Sequence, residues 1–137
     1  MALRFLVDTS VLKRLRHSEV RGVVEPLAER AELGRPSICD LEVGYSARNA
    51  AEWDQLLTAL DAFVSVETSA AHVARALQVQ RLLAERSERG RKIPDLLVAA
   101  AAEDLSISVL HYDSDFDVIA DVTGQASQWV VPPGTID

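Results

Sequence analysis

Cys39 is the only cysteine among 137 residues. Its solitude excludes an intrachain disulfide and any cysteine-based zinc site, and it fits a reducing cytoplasm. Aromatic residues are scarce, at 5% of the chain against 48% hydrophobic overall, so the core must be built mainly from Leu, Val and Ala. No apolar run reaches the roughly eighteen residues that a membrane-spanning helix needs. Met1-Ala2-Leu3-Arg4 leads directly into strand-like residues and leaves no room for a signal peptide. Lys and Arg are missing from residues 103–137, where seven acids stand: Glu103, Asp104, Asp113, Asp115, Asp117, Asp121 and Asp137. With 21 acids and 14 bases in total, residues 1–102 therefore balance at fourteen of each sign. The net charge of −7 thus does not exclude an anionic partner. Positive charge is gathered in two places, Lys13, Arg14, Arg16 and Arg21, and the run Arg86-Ser87-Glu88-Arg89-Gly90-Arg91-Lys92.

A chain of this length holds one domain with a real core, taken here as residues 1–137. Leu3 to Val7 reads as a buried strand, with Asp8-Thr9-Ser10 as turn and helix N-cap. Val11, Leu12 and Leu15 continue as a short helix. Val23, Val24, Leu27 and Ala31 carry the spacing of a second helix that ends at Gly34. Ser37-Ile38-Cys39 is a short strand or an extended lead into a helix bearing Leu41, Glu42, Tyr45 and Ser46. A helix follows with Trp53, Leu56, Leu57 and Leu60, then a strand at Val64–Val66 and a long helix capped by Ser69 and broken by Gly90. Pro94 suits a first helical turn, and Asp95 to Leu105 is alanine-rich. Ile107–Leu110 is a strand, Ser114–Ala120 a short helix, and Gln128–Val131 a last strand stopped by Pro132-Pro133. Short strands alternating with helices predict an α/β domain with a mainly parallel sheet. Ligands of such sheets bind beyond the carboxyl ends of the strands.

Four acids fall where apolar stretches give way to helices: Asp8, Glu42, Asp95 and Asp113. Carboxylates beside a core are costly unless paired or bound to a cation, and four together suggest a pocket for a hard divalent metal. Three have a bland reading: a cap for Asp8, a helix-surface position for Glu42, the helix dipole for Asp95. Asp113, Asp115 and Asp117 alternate like the opening of a calcium loop. That loop fails where it needs Gly and Glu, because Val118 and Gly124 stand there. A haloacid-type phosphotransfer motif would need Asp in place of Ser10. His17, His72 and His111 are scattered, so no nucleophilic triad competes.

The ordered set Leu6-Val7-Asp8-Thr9-Ser10-Val11-Leu12, Glu42, Ile93-Pro94-Asp95-Leu96-Leu97-Val98-Ala99-Ala100-Ala101 and Tyr112-Asp113-Ser114-Asp115-Phe116 resembles a PIN-domain ribonuclease. Its length and starting point look like the VapC toxins of bacterial toxin–antitoxin pairs. The resemblance implies a three-layer α/β/α sandwich and an endoribonuclease dependent on Mg²⁺, with Mn²⁺ as a substitute. Asp8, Glu42, Asp95 and Asp113 would form the metal-binding quartet. Ser10 would be a hydroxyl that orders the site, and Asp115 an accessory acid. A homodimer and a VapB-like antitoxin covering the acidic groove are likewise implied.

The basic run leads into Pro94-Asp95, so Arg89, Arg91 and Lys92, with Lys13 and Arg14, are expected to grip RNA at the groove rim, and loss of Arg89, Arg91 and Lys92 to leave metal affinity unaltered. Trp53 and Trp129 read as core or dimer-contact aromatics. Two other readings stand beside the nuclease: a PIN-like binding module without catalysis, and a metal-dependent phosphatase for small molecules.

Overall fold

The computed structural model describes residues 2–88 and 91–137. The chain runs β1 (Phe5–Val7), α1 (Thr9–Leu12), α2 (Ser18–Glu29), β2 (Leu33–Pro36), α3 (Ser37–Tyr45) and α4 (Ala50–Ala59). A 3₁₀ turn (Leu60–Ala62), β3 (Val64–Val66), α5 (Ala70–Glu85), α6 (Ile93–Leu105), β4 (Ser108–His111), α7 (Asp115–Thr123) and β5 (Ser127–Trp129) follow. The five strands pair in parallel in the order β3-β2-β1-β4-β5. The expected three-layer α/β/α architecture is the one observed.

Alternation along the strands builds the layers. Leu6 and Val109 point into a core with Ala76, Val79 and Leu83 of α5, Leu96–Ala99, Ala101 and Ala102 of α6, and Phe116 and Ile119 of α7. Phe5, Val7 and Leu110 point the other way, onto Val11, Val20, Val24, Leu27, Leu60 and Phe63. One-residue alternation is what a sheet covered on both faces requires. Chain order reverses across β1 and β4: β2 and β3 extend the sheet to one side, β4 and β5 to the other. The carboxyl ends of β1 and β4 therefore frame the crevice where ligands of open α/β sheets bind.

Two helix ends assigned to glycines differ from the sequence expectation, at Gly34 and at Gly90, the latter outside the described residues. Gly34 does not end α2; it lies inside β2, paired to Leu6 on one side and Val64 on the other. The helix stops earlier, where Ala31 takes a left-handed φ of 55° and Glu32 N–H reaches back to Leu27 C=O at 3.0 Å. The same closing turn ends α5 at Ser87 (φ 58°) and α6 at Ser106 (φ 57°), without glycine in either case. Consequently Ser37-Ile38-Cys39 is not a strand but the first turn of α3. His72 completes a capping box with Ser69 and faces Asp104 at 3.2 Å.

Gly34 is needed for space. A Cβ there would sit 2.9 Å from Leu6 Cδ2, 3.0 Å from Leu3 Cδ1 and 3.1 Å from Val66 Cγ2. Overfilling a packed core costs about 1–3 kcal/mol. Gly34→Ala is expected to lower unfolding free energy in urea by that amount; a change below about 0.5 kcal/mol would show that the strand packing yields freely.

Candidate metal centre

β1 delivers Asp8 to the carboxyl edge of the sheet, where its own side chain, rather than Thr9 or Ser10, caps α1. Oδ2 accepts from Ser10 N–H at 3.0 Å, while Oδ1 is buried without a hydrogen-bond partner. The two hydroxyls have other work. Thr9 Oγ1 donates to Glu42 Oε1 at 2.8 Å and so holds α3 against α1. Ser10 Oγ accepts from Tyr112 N–H at 2.9 Å and ties the start of α1 to the end of β4. Ser10 was singled out from the sequence; Thr9 was read only as a cap. Its signal was a second hydroxyl next to a candidate ligand.

Asp95 lies in the first turn of α6, 3% exposed, and its Oδ2 also lacks a hydrogen-bond partner. Asp113 follows β4; its Oδ1 accepts from Asp115 N–H at 2.9 Å and its N–H donates to His111 Nδ1 at 3.2 Å. The oxygens of Asp95, Asp113 and Asp115 come within 4.8 Å of one another, as do the ligand atoms of Asp8, Cys39 and Glu42. Asp117 turns away and accepts from the Trp129 indole N–H at 3.3 Å. Cys39 donates its thiol to Val7 C=O at 3.8 Å, and burial holds its pKa far above the usual thiol range, so it stays a neutral neighbour of Asp8.

His111 is fully buried between Phe116 (4.9 Å) and Trp129 (5.0 Å), and burial pushes its pKa down. It is a neutral prop for the Asp113 backbone.

The expected RNA-gripping residues are distributed unevenly. Lys92 reaches into the acids, with Nζ 2.5 Å from Asp113 Oδ2 and 3.9 Å from Asp95 Oδ2. Arg91, half-buried, donates to Asp115 Oδ1 at 2.7 Å. Both side chains are thus engaged by site carboxylates, a pairing that the sequence does not show. Arg14 stacks over Tyr112 (4.8 Å) and binds Ser10 C=O and Asp137 O. Lys13 is exposed, with no ion pair among the described residues. Arg89 lies outside the described residues. Tyr45 is 83% exposed, so ordinary packing does not explain it. Arg48 pairs with Glu52, and Trp53 lies against Gly44.

Like charges and burial work together here. Burial pushes Asp8 up, opposed by the Ser10 hydroxyl and N–H and reinforced by Glu42 and Asp113. Asp95 is pushed up to about 8, first by burial and then by the charge of Asp8. Burial also pushes Asp113 up, but Lys92 and the Asp115 N–H outweigh it and leave Asp113 below its ordinary value. Asp8 thus feels Asp113 and Asp95 feels Asp8, which makes the two carboxylate groups one electrostatic unit.

A model of the PIN domain matches residues 5–122. This chain belongs to the PIN-domain family. Ribonuclease VapC51 of Mycobacterium tuberculosis is 63% identical to it over the full length of both chains. Ribonuclease VapC21 of the same species is 44% identical, with 98% of this chain and 99% of that protein covered. Among solved structures, the DNA-bound VapBC of Salmonella typhimurium superposes with a TM-score of 0.76 at 14% identity, covering 94% of this chain and 99% of that one. FitAcB of Neisseria gonorrhoeae gives 0.70 at 19%, covering 95% and 98%. These two show the PIN fold.

The PIN-domain site suits a hard divalent cation on its own chemistry. Its donors are carboxylate oxygens, and two of the most buried, Asp8 Oδ1 and Asp95 Oδ2, have no hydrogen-bond donor. A raised carboxyl pKa stabilises the fold fully below the unfolded value and loses that contribution as pH rises. For Asp95 the loss runs from about pH 4 to about 8. Asp95→Asn is therefore expected to be more stable than the parent in EDTA at pH 8 by about 1–3 kcal/mol, with the gap closing toward pH 4.5. Thermal melts across that range check this, and a gap independent of pH would contradict the assignment.

Proposed function

We propose that the chain is a Mg²⁺-dependent endoribonuclease, the toxin of a VapBC-type pair, acting in the cytoplasm. The carrying observation is the pair of buried, partnerless oxygens on Asp8 and Asp95, facing the switch point of the sheet among further acids. Asp8, Glu42, Asp95 and Asp113 would hold the ion. When bound, Mg²⁺ or Mn²⁺ offsets phosphate charge, lowers the pKa of a bound water and stabilises the leaving oxygen. The chain's own residues supply orientation: Thr9 aims Glu42, Ser10 fixes the β4 exit against α1, and Arg91 holds Asp115. The names of two relatives, ribonucleases VapC51 and VapC21, support RNA as the substrate.

Solved VapBC complexes with the same fold support an antitoxin partner. Past the acids, α1 and α3 continue into an apolar recess of about 150 Å³ lined by Leu12, Leu15, Val43, Leu56, Leu60 and Phe63. A basic side chain of the antitoxin set near Asp8, Asp95 and Asp113 would block the site, since Arg forks onto carboxylates. Exposed Leu41 and Tyr45, one turn apart on α3, with Val73 and Leu77 on α5, are apolar surface available to a second copy in a homodimer. Among the described residues no helix is long and apolar enough to cross a membrane.

Brief induction of the chain in cells, with 5′ ends of RNA mapped against its Asp8→Asn form, tests the proposal. New ends are expected only with the parent. In purified form, cleavage of RNA is expected with Mg²⁺ or Mn²⁺, falling at least 100-fold in Asp8→Asn and absent in EDTA. Hydrolysis of small phosphate esters with RNA left intact would favour a phosphatase. Neither activity in the folded, metal-loaded parent would favour the binding module.

A further inference from the structure

Lys92 stands in a different relation to the acids from the other bases. Its backbone carbonyl accepts from Asp95 N–H (3.1 Å) and Leu96 N–H (3.4 Å), which fixes its Cα at the N-terminus of α6. Its side chain is 59% exposed, yet the ammonium turns inward. It meets Asp113 Oδ2 at 2.5 Å and faces Asp95 Oδ2 at 3.9 Å. That Asp95 oxygen has no hydrogen-bond partner. Arg91 makes the contrast: it is 24% exposed, planar, and clamped on Asp115. A lysine ammonium is a compact charge on a flexible four-carbon stem, suited to leave when a stronger cation arrives.

We infer that Lys92 is a resident counter-ion of the acid cluster, competing with the divalent ion for Asp113 and Asp95, so that it sets the site's metal affinity. This rests on the metal reading above. With the ion bound, the ammonium swings out to the rim, where a substrate phosphate is the next available anion. The residue thus keeps the metal-free carboxylates partly neutralised and raises the metal concentration at which the site fills.

The test is Mn²⁺ binding by calorimetry, together with thermal melts in chelator and at saturating Mn²⁺, for the parent and Lys92→Met. Removing the ammonium should tighten Mn²⁺ binding roughly three- to tenfold, the range expected for losing a partly exposed charge-assisted contact. It should also lower the melting temperature in chelator while leaving the metal-saturated value near the parent's. If Lys92→Met does not fold in chelator, Lys92→Gln is measured in its place. Unchanged or weaker Mn²⁺ binding in the variant, with the parent binding normally, overturns the counter-ion role alone. An unchanged melting temperature in chelator does the same. A folded parent that binds no Mn²⁺ overturns the metal reading and this inference with it.

Discussion

Like-charge repulsion among carboxylates held at the edge of a dry core is the constraint around which this molecule is arranged. Asp8 and Asp95 are each nearly inaccessible, and each leaves one oxygen without a hydrogen-bond partner. In water such groups would separate; here the parallel sheet and α6 bring them together because their backbones are fixed by unrelated packing. Phe5, Leu6 and Val7 are buried on alternating faces and permit no slip of β1. Ala99, Ala101 and Ala102 are small enough for α6 to lie close against the sheet and α5. The apolar framework therefore offsets the electrostatic cost at the site, as it does in many active centres.

Around that core of repulsion lies a shell of groups that orient or neutralise. Thr9 and Ser10, consecutive in sequence, reach in different directions: one steadies Glu42, the other the strand exit that carries Asp113. Lys92 and Arg91, also consecutive, neutralise Asp113 and Asp115. His111 supports the Asp113 backbone from beneath, and burial keeps it neutral. All of these contacts except that of His111 link elements far apart in the chain, so the site's geometry is a property of the whole sheet.

Much of this was legible in the sequence because it is periodic or positional. Hydrophobic runs placed all five strands to within a few residues except β2, and acids at strand ends pointed to the crevice. The misplacement of β2 has a physical origin. Glycine at Gly34 reads as a helix stop in the sequence, whereas steric crowding in the sheet explains it, and α2, α5 and α6 stop at Ala31, Ser87 and Ser106 in left-handed conformations instead. Side-chain partners were the other blind spot. Nothing local distinguishes a lysine that faces RNA from one that faces Asp113, nor tells which of Asp113, Asp115 and Asp117 joins Asp95; those facts depend on how α6, β4 and α7 meet. The place of the basic run beside Asp95 was visible, but the pairing of Lys92 with Asp113 and of Arg91 with Asp115 was not.

The central claim is that Asp8 and Asp95 leave oxygens free for a divalent ion at the carboxyl edge of β1. An anomalous difference map from crystals grown with Mn²⁺ tests it most directly. A peak bonded to a carboxylate oxygen of both Asp8 and Asp95 is the expected result. A peak that avoids both residues, or no peak in crystals saturated with Mn²⁺, would contradict it.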